Sequence, residues 1–268
     1  MTTSRHAEEQ YKDAANLSAR IALHTRFSRN SVAWFPWVLG RLTLPEGAQV
    51  LELGCGPAKL WRENLERIPN WDITLTDLSP GMVAEAEAHF KDAPRAFSFA
   101  VANAEELPFN DGTFDAVVAN HMLYHVPDLP RVLGEVRRVL KPDGRLFAAT
   151  NGGGHMRELD DLSQDVVAGG VVSAFAREGH LTDFTLETAP DHLKPYFSTV
   201  TLHRTEGDPD LYVTEAEPLV AYILSVTPPE VRVDETKVAA LRARVDEALA
   251  ASGEVRVTRA TGLFEARR

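Results

Sequence analysis

From Gln49 to about Asn151 short apolar runs alternate with longer amphipathic stretches, the pattern of parallel strands joined by crossover helices. Val50-Leu51-Glu52-Leu53 reads as the first strand and runs into Gly54-Cys55-Gly56. Leu60, Trp61, Asn64, Leu65 and Ile68 then recur at helical spacing. A second strand, Ile73 to Thr76, closes at Asp77. Ser79 is placed to cap the following helix, with Pro80 in its first turn and Met82, Ala86 and Phe90 along it. The third strand is Ala96 to Val101. The fourth, Phe114 to Ala119, is almost continuously apolar, as a strand covered on both faces should be. Asp128 caps a helix carrying Leu129, Val132, Leu133, Val136, Val139 and Leu140, and Pro142-Asp143-Gly144 turns into a fifth strand, Arg145 to Thr150. The fold class expected is α/β, with a doubly wound, mostly parallel sheet.

Around this block, residues 46–151, the regularity loosens. Residues 1–45 read as a helical lid in which Tyr11, Leu17, Ile21 and Leu23 precede the aromatic cluster Trp34, Phe35 and Trp37. Residues 152–182 read as a cap insertion opening on Gly152-Gly153-Gly154, with Leu159, Leu162, Val166 and Val167 at roughly helical spacing. Residues 183–268 are expected to complete the sheet. Phe197 to His203 and Val255 to Phe264 would return to it as late strands, with a helical insertion at 215–250 between them.

Composition narrows the function. None of the 268 residues fall in an apolar run near the ~20 that a membrane-spanning helix requires, so no membrane span is expected. The start, Met1 to Lys12, is polar and charged without an apolar run behind it, which predicts a cytoplasmic chain without a secretory signal. One cysteine, Cys55, excludes an internal disulfide and a four-thiolate zinc site. Twenty-eight basic against 39 acidic side chains give a net charge of −11, the wrong sign for holding nucleic acid through phosphate contacts. A small, non-nucleic substrate fits better.

The residues with chemistry to offer stand at strand C-termini, the edge on which open α/β sheets bind ligands. Glycine at 54 and 56 permits tight dihedrals and leaves no Cβ between backbone and ligand. Asp77 follows Gly56 by 21 residues, about the interval at which a doubly wound fold presents a carboxylate to paired ribose hydroxyls. Asn103-Ala104-Glu105 offers amide groups for the edge of an adenine, with Leu78, Met82 and Leu107 as apolar surface for its faces. His121 and His125 have the spacing of a helical metal pair, but they lie in a strand exit with no further ligand nearby in sequence, so no metal is expected. Either is a candidate general base.

These motifs, in this order, resemble the class I S-adenosylmethionine-dependent methyltransferases. The resemblance rests on Val50-Leu51-Glu52-Leu53-Gly54-Cys55-Gly56, Thr76-Asp77-Leu78-Ser79, Asn103 to Phe109, Phe114-Asp115-Ala116-Val117-Val118 and Leu140 to Leu146. Asn120 to Asp128 is most similar to the bacterial small-molecule branch related to the quinone-biosynthesis methyltransferases, and the run Tyr11 to Ser28 is similar to the cap of that branch. The resemblance implies a seven-stranded Rossmann-like sheet, S-adenosylmethionine as cofactor and a small-molecule methyl acceptor. It implies a cofactor site of Tyr11, Phe27, Glu52, Gly54, Gly56, Asp77, Leu78, Met82, Asn103, Ala104, Glu105, Asn120 and His121. In it Gly54 and Gly56 lie against the methionine part, Asp77 on the ribose and Asn103 and Ala104 at the adenine. His121 and His125 are the catalytic candidates. Two departures stand out. Pro57-Ala58-Lys59 replaces the third glycine of many members, which argues against a nicotinamide dinucleotide whose pyrophosphate needs a glycine-lined helix start. Asn103 replaces a frequent aspartate, which leaves an acceptor without charge. The rival readings are a nicotinamide-dependent oxidoreductase and a binding protein that keeps the pocket as a sensor or scaffold without turnover.

Overall fold

In the computed structural model the strands are β1 (Gln49–Leu53), β2 (Asp72–Asp77), β3 (Phe97–Val101), β4 (Phe114–Asn120), β5 (Leu140–Asn151), β6 (Thr199–His203), β7 (Leu211–Val213), β8 (Val255–Val257) and β9 (Thr261–Arg267). The structure describes residues 14–30, 32–93, 95, 97–166, 170–171, 182–207, 209–228 and 231–268. Tyr11, Ala96 and Val167, all used in the sequence reading, lie outside these described residues. The chain divides into two units. A sheet unit comprises Val32–Asn151, Thr182–Thr205 and Thr261–Arg268; a helical unit comprises Met1–Ser31, Gly152–Leu181 and Glu206–Ala260. The aromatic run at 34–37 therefore belongs with the sheet, and residues 206–260 do not.

The sheet unit is a seven-stranded sheet in the order β3-β2-β1-β4-β5-β9-β6. β1 to β5 are mutually parallel, and β9 runs antiparallel to both β5 and β6. This is the doubly wound, mostly parallel Rossmann-like fold the sequence pattern predicts. The strand order reverses between β1 and β4, where such sheets open a crevice at their C-terminal edge. Val50, Leu51 and Leu53 of β1 and Ala116 to Ala119 of β4 are buried, because helices cover both faces. Trp37, Trp61, Phe147 and Leu263 join them in the core on one side.

Local chemistry sets the helix ends. The Ser79 hydroxyl accepts the Met82 backbone N–H at 3.4 Å and opens the helix Pro80–Phe90. Asp128 accepts from Arg131 N at 3.1 Å and opens Leu129–Val139, whose Leu129, Val132, Leu133, Val136 and Val139 are all buried on one stripe. The predicted helix after Gly56 is shorter than its apolar spacing implies: Lys59–Arg62, then a single tighter turn at Leu65–Arg67. The turn at Pro142-Asp143-Gly144 lies inside β5, not before it. Leu140 pairs with Phe114 and Arg145 with Ala116, so Lys141 to Gly144 loop out between them.

The expected single strand Val255 to Phe264 is two strands in different sheets. Val255–Val257 pairs antiparallel with Leu211–Val213 in the helical unit, and only Thr261–Arg267 joins the main sheet. The break has a polar cause. Thr258 N–H and Oγ1 both donate to the Glu158 carboxylate, at 2.9 and 2.5 Å, and Arg259 N–H donates to Asp210 Oδ1 at 2.9 Å. Side-chain acceptors thus take the donors that would have continued the ladder. The helical stretch expected at 215–250 is likewise two helices, Ala216–Ser225 and Glu235–Ser252, the second capped by Asp234 and ended by Gly253 at φ +77°. They pack with Ala14–Phe27 around Leu23, Phe27, Tyr222, Ile223, Leu241 and Val245. Among the described residues no helix is long and apolar enough to cross a membrane.

Candidate functional site

The C-terminal ends of β1, β2 and β4 meet at the reversal of strand order, since Leu53 pairs with both Thr76 and Ala119. Gly54 leaves β1 at φ +61° and Gly56 follows at φ +52°, with Ala58 also left-handed at φ +53°. The two glycines serve different ends. A Cβ on Gly54 would meet Met122 Cβ at 2.9 Å, so the second residue after β4 closes onto the turn, whereas a Cβ on Gly56 would meet nothing within 4 Å. The backbone at Gly56 is therefore open to an incoming molecule.

Asp77 joins the two loops. Its Oδ2 accepts Gly56 N–H at 2.9 Å and its Oδ1 accepts Ser79 N–H at 2.9 Å. Burial pushes its carboxyl up from the ordinary range, and the backbone N–H donors of Ser79, Gly56 and Leu78 pull it back. A carboxylate has about four acceptor sites, so these backbone donors leave it capacity for a ligand hydroxyl. Glu52, on β1 two residues before Gly54, is 2 % exposed and accepts the Trp61 indole N–H on Oε2 at 2.6 Å. Burial pushes its carboxyl up to about 8; the Trp61 hydrogen bond opposes the rise and the Asp77 charge adds to it. Cys55 lies between them, buried, with its thiol pushed up by burial and then by Glu52 and Asp77. Burial and the two carboxylates hold the thiol protonated, the form that is not nucleophilic.

After β3, Asn103 turns the chain by accepting Glu105 N–H on its own Oδ1 at 3.0 Å. The Oδ1 that the sequence reading aims at adenine is thus engaged locally. The Glu105 carboxylate accepts Asp128 N–H at 3.1 Å, tying this loop to the next helix, and the Glu105 carbonyl accepts from Arg131 Nε at 2.8 Å. Arg138 adds two more ties, to the carbonyls of Leu107 and Phe109 at 3.0 and 2.7 Å. Ala104, Leu107 and Met82 are buried, and Leu78 is 46 % exposed.

At the end of β4, Asn120 Oδ1 accepts the Trp34 indole N–H at 3.3 Å, and the Trp34 ring lies 5.4 Å from that of His121. His121 is left-handed at φ +59°, which costs a non-glycine residue about 1–3 kcal/mol and is the kind of strain that collects at functional sites. His125 ends the short turn Leu123–His125 with its ring edge-on to Tyr124 at 4.5 Å. Trp34, which the sequence pattern places in the lid, thus contacts both Asn120 and His121. Trp61 and Met122 carried no signal for their roles, because neither contact follows a fixed spacing. Phe27 is buried in the core of the helical unit, and no cluster of His, Cys, Asp or Glu suited to a metal ion occurs among the described residues.

Residues 51–148 match the family model described as a methyltransferase domain. The matched stretch falls within the sheet unit. A ubiquinone biosynthesis O-methyltransferase from Xanthomonas oryzae is 37% identical over 115 residues, 42% of this chain and 47% of that protein. A ubiquinone/menaquinone biosynthesis C-methyltransferase from Desulfotalea psychrophila is 37% identical over 112 residues, 42% of this chain and 45% of that one. The chain spans about half the length of these curated relatives. Among solved structures, the [4+2]-cyclase SpnF matches with a TM-score of 0.61 and 18% identity, covering 99% of this chain and 97% of the other. The YcgJ protein of Bacillus subtilis matches at 0.61 and 16% identity, covering 87% and 97%. At these identities the structural likeness concerns the fold.

Proposed function

We propose that this methyltransferase domain binds S-adenosylmethionine and that the chain transfers its methyl group to a small-molecule acceptor. The observation that carries the reading is the Asp77 carboxylate held on Gly56 N–H beside a backbone turn left open at Gly56. When bound, the cofactor supplies a methyl group on a positively charged sulfur that is already a good leaving group. The task left to the protein is to position the acceptor and keep water away. Asp77 holds the ribose hydroxyls, Gly54 and Gly56 let the backbone approach the methionine part, and Ala104, Leu107 and Met82 give apolar surface for the adenine. Glu52, protonated in its buried setting, steadies the glycine turn by accepting the Trp61 indole N–H. Asn120 and His121, steadied by Trp34, face the acceptor, and His121 or His125 serves as base where the acceptor must lose a proton. The net charge of −11 favours a small molecule over nucleic acid as acceptor. The domain likeness to O- and C-methyltransferases of quinone biosynthesis favours an oxygen or an acidic carbon as the methylated atom.

Calorimetry with S-adenosylmethionine, its demethylated product, NAD and NADP tests the cofactor. The first two bind and the dinucleotides do not; the reverse preference removes the proposal. Transfer of a radiolabelled methyl group to a small-molecule fraction of cell extract tests turnover. The rival reading is a chain that keeps the cofactor pocket as a sensor or scaffold without turnover. Its outcome is tight cofactor binding with no labelled product.

A further inference from the structure

We propose that the helical unit carries a binding site for a small oxyanion, a carboxylate or a phosphate group, centred on the Arg259 guanidinium. Arg259 follows the end of β8, where Asp210, 4 % exposed, holds the chain in place. Asp210 spends Oδ1 on the Arg259 backbone N–H at 2.9 Å and Oδ2 on Arg256 Nε at 2.8 Å. The carboxylate therefore fixes the Arg259 backbone and pairs with a different guanidinium. The Arg259 side chain makes one hydrogen bond among the described residues, Nη1 to the Ser28 hydroxyl at 3.4 Å, and its Nε is buried without a partner. That hydroxyl is shared, since it also accepts Asn30 N–H at 3.3 Å.

A guanidinium has five donors in a planar fork, and taking them out of water without acceptors is unfavourable. Burial pulls the Arg259 group below its ordinary range, and the attraction of Asp210 only opposes this. Two cationic side chains thus share one carboxylate, and the fork geometry matches a two-oxygen anion. The surroundings are polar. His24 stands one helical turn before Ser28 and stacks on His155 at 6.2 Å, and Met156 N–H donates to Thr258 O at 2.7 Å, bringing that ring pair beside the segment holding Arg259. None of these residues belongs to the sheet unit, so the inference stands apart from the cofactor proposal.

The test is an NMR titration of the full chain with inorganic phosphate and, separately, acetate, each against chloride at equal ionic strength. Saturable shifts of the Ser28 and Arg259 amide signals are expected in at least one arm; phosphate alone, acetate alone or both tell which oxyanion the fork accepts. Arg259→Lys keeps the charge and removes the fork, and it should weaken binding by about tenfold or more. Arg267→Lys, on β9, should leave it unchanged. If Arg259→Lys does not fold, the wild-type titration decides by where the shifts occur. No saturation beyond chloride, saturation confined to other residues, or undiminished binding in a folded Arg259→Lys chain overturns the proposal.

Discussion

Trp61 donates its indole N–H to Glu52 Oε2 at 2.6 Å, and the two side chains are 0 % and 2 % exposed. A strand residue of the glycine turn is thereby locked to the short helix that follows the turn. Desolvation outweighs this hydrogen bond and holds the carboxyl at about 8, against 4.5 for the free group.

Stability should fall as pH rises from about 4.5 to about 8, because the folded chain keeps a proton on Glu52 that the unfolded chain has released. The slope from this one group approaches roughly 1.4 kcal/mol per pH unit. Glu52→Gln keeps an oxygen for the indole and cannot titrate, so its urea midpoint should be flatter across that window and higher than wild type at its alkaline end. Parallel profiles for the two proteins would count against the buried, proton-bearing carboxyl.

Asp77→Ala removes the acceptors of Gly56 and Ser79 N–H together with the proposed ribose partner. Affinity for S-adenosylmethionine should drop by about 1–3 kcal/mol, the range for hydrogen bonds to a charged group, with circular dichroism unchanged. Unaltered affinity by calorimetry would mean that the ribose is held elsewhere.

The two glycines should separate stability from binding. Gly54→Ala combines left-handed backbone strain with a Cβ at 2.9 Å from Met122, whereas Gly56→Ala meets the strain alone. The strain is worth about 1–2 kcal/mol, so Gly56→Ala should lose about that much stability and Gly54→Ala distinctly more. Cofactor affinity should fall in Gly56→Ala, whose new methyl group points into the open space. Equal thermal shifts in the two variants would contradict the Met122 contact.

His121 offers a similar contrast, because its φ of +59° suits glycine better than alanine. His121→Gly and His121→Ala both remove the imidazole, and if it is the base both lower turnover by roughly 10²–10⁴-fold with cofactor affinity near wild type. Only the alanine should also lose stability relative to the glycine. A rate loss under tenfold in both, measured with the acceptor once found, points to His125 or to catalysis by positioning alone.

The parallel core, the caps at Ser79 and Asp128, the glycine turn and the carboxylate at Asp77 were all legible in the sequence. Each is local: apolar periodicity sets strand and helix within a few residues, a cap bonds three residues ahead, and the interval from Gly56 to Asp77 is one crossover. Tertiary structure alone decided which distant groups share a buried space. It brought Met122 against Gly54 and Trp34 against Asn120, and it turned the Asn103 and Glu105 side chains toward backbone N–H groups of their own loop and of the next helix. It also divided the alternating run at 255–264 between two sheets, since Val255 to Val257 found a partner in Leu211 to Val213 while Glu158 and Asp210 drew off the donors between. Alternation in a sequence specifies which face of a strand is buried; it carries no information about the neighbour that buries it, because that choice depends on every other surface competing for the same contact.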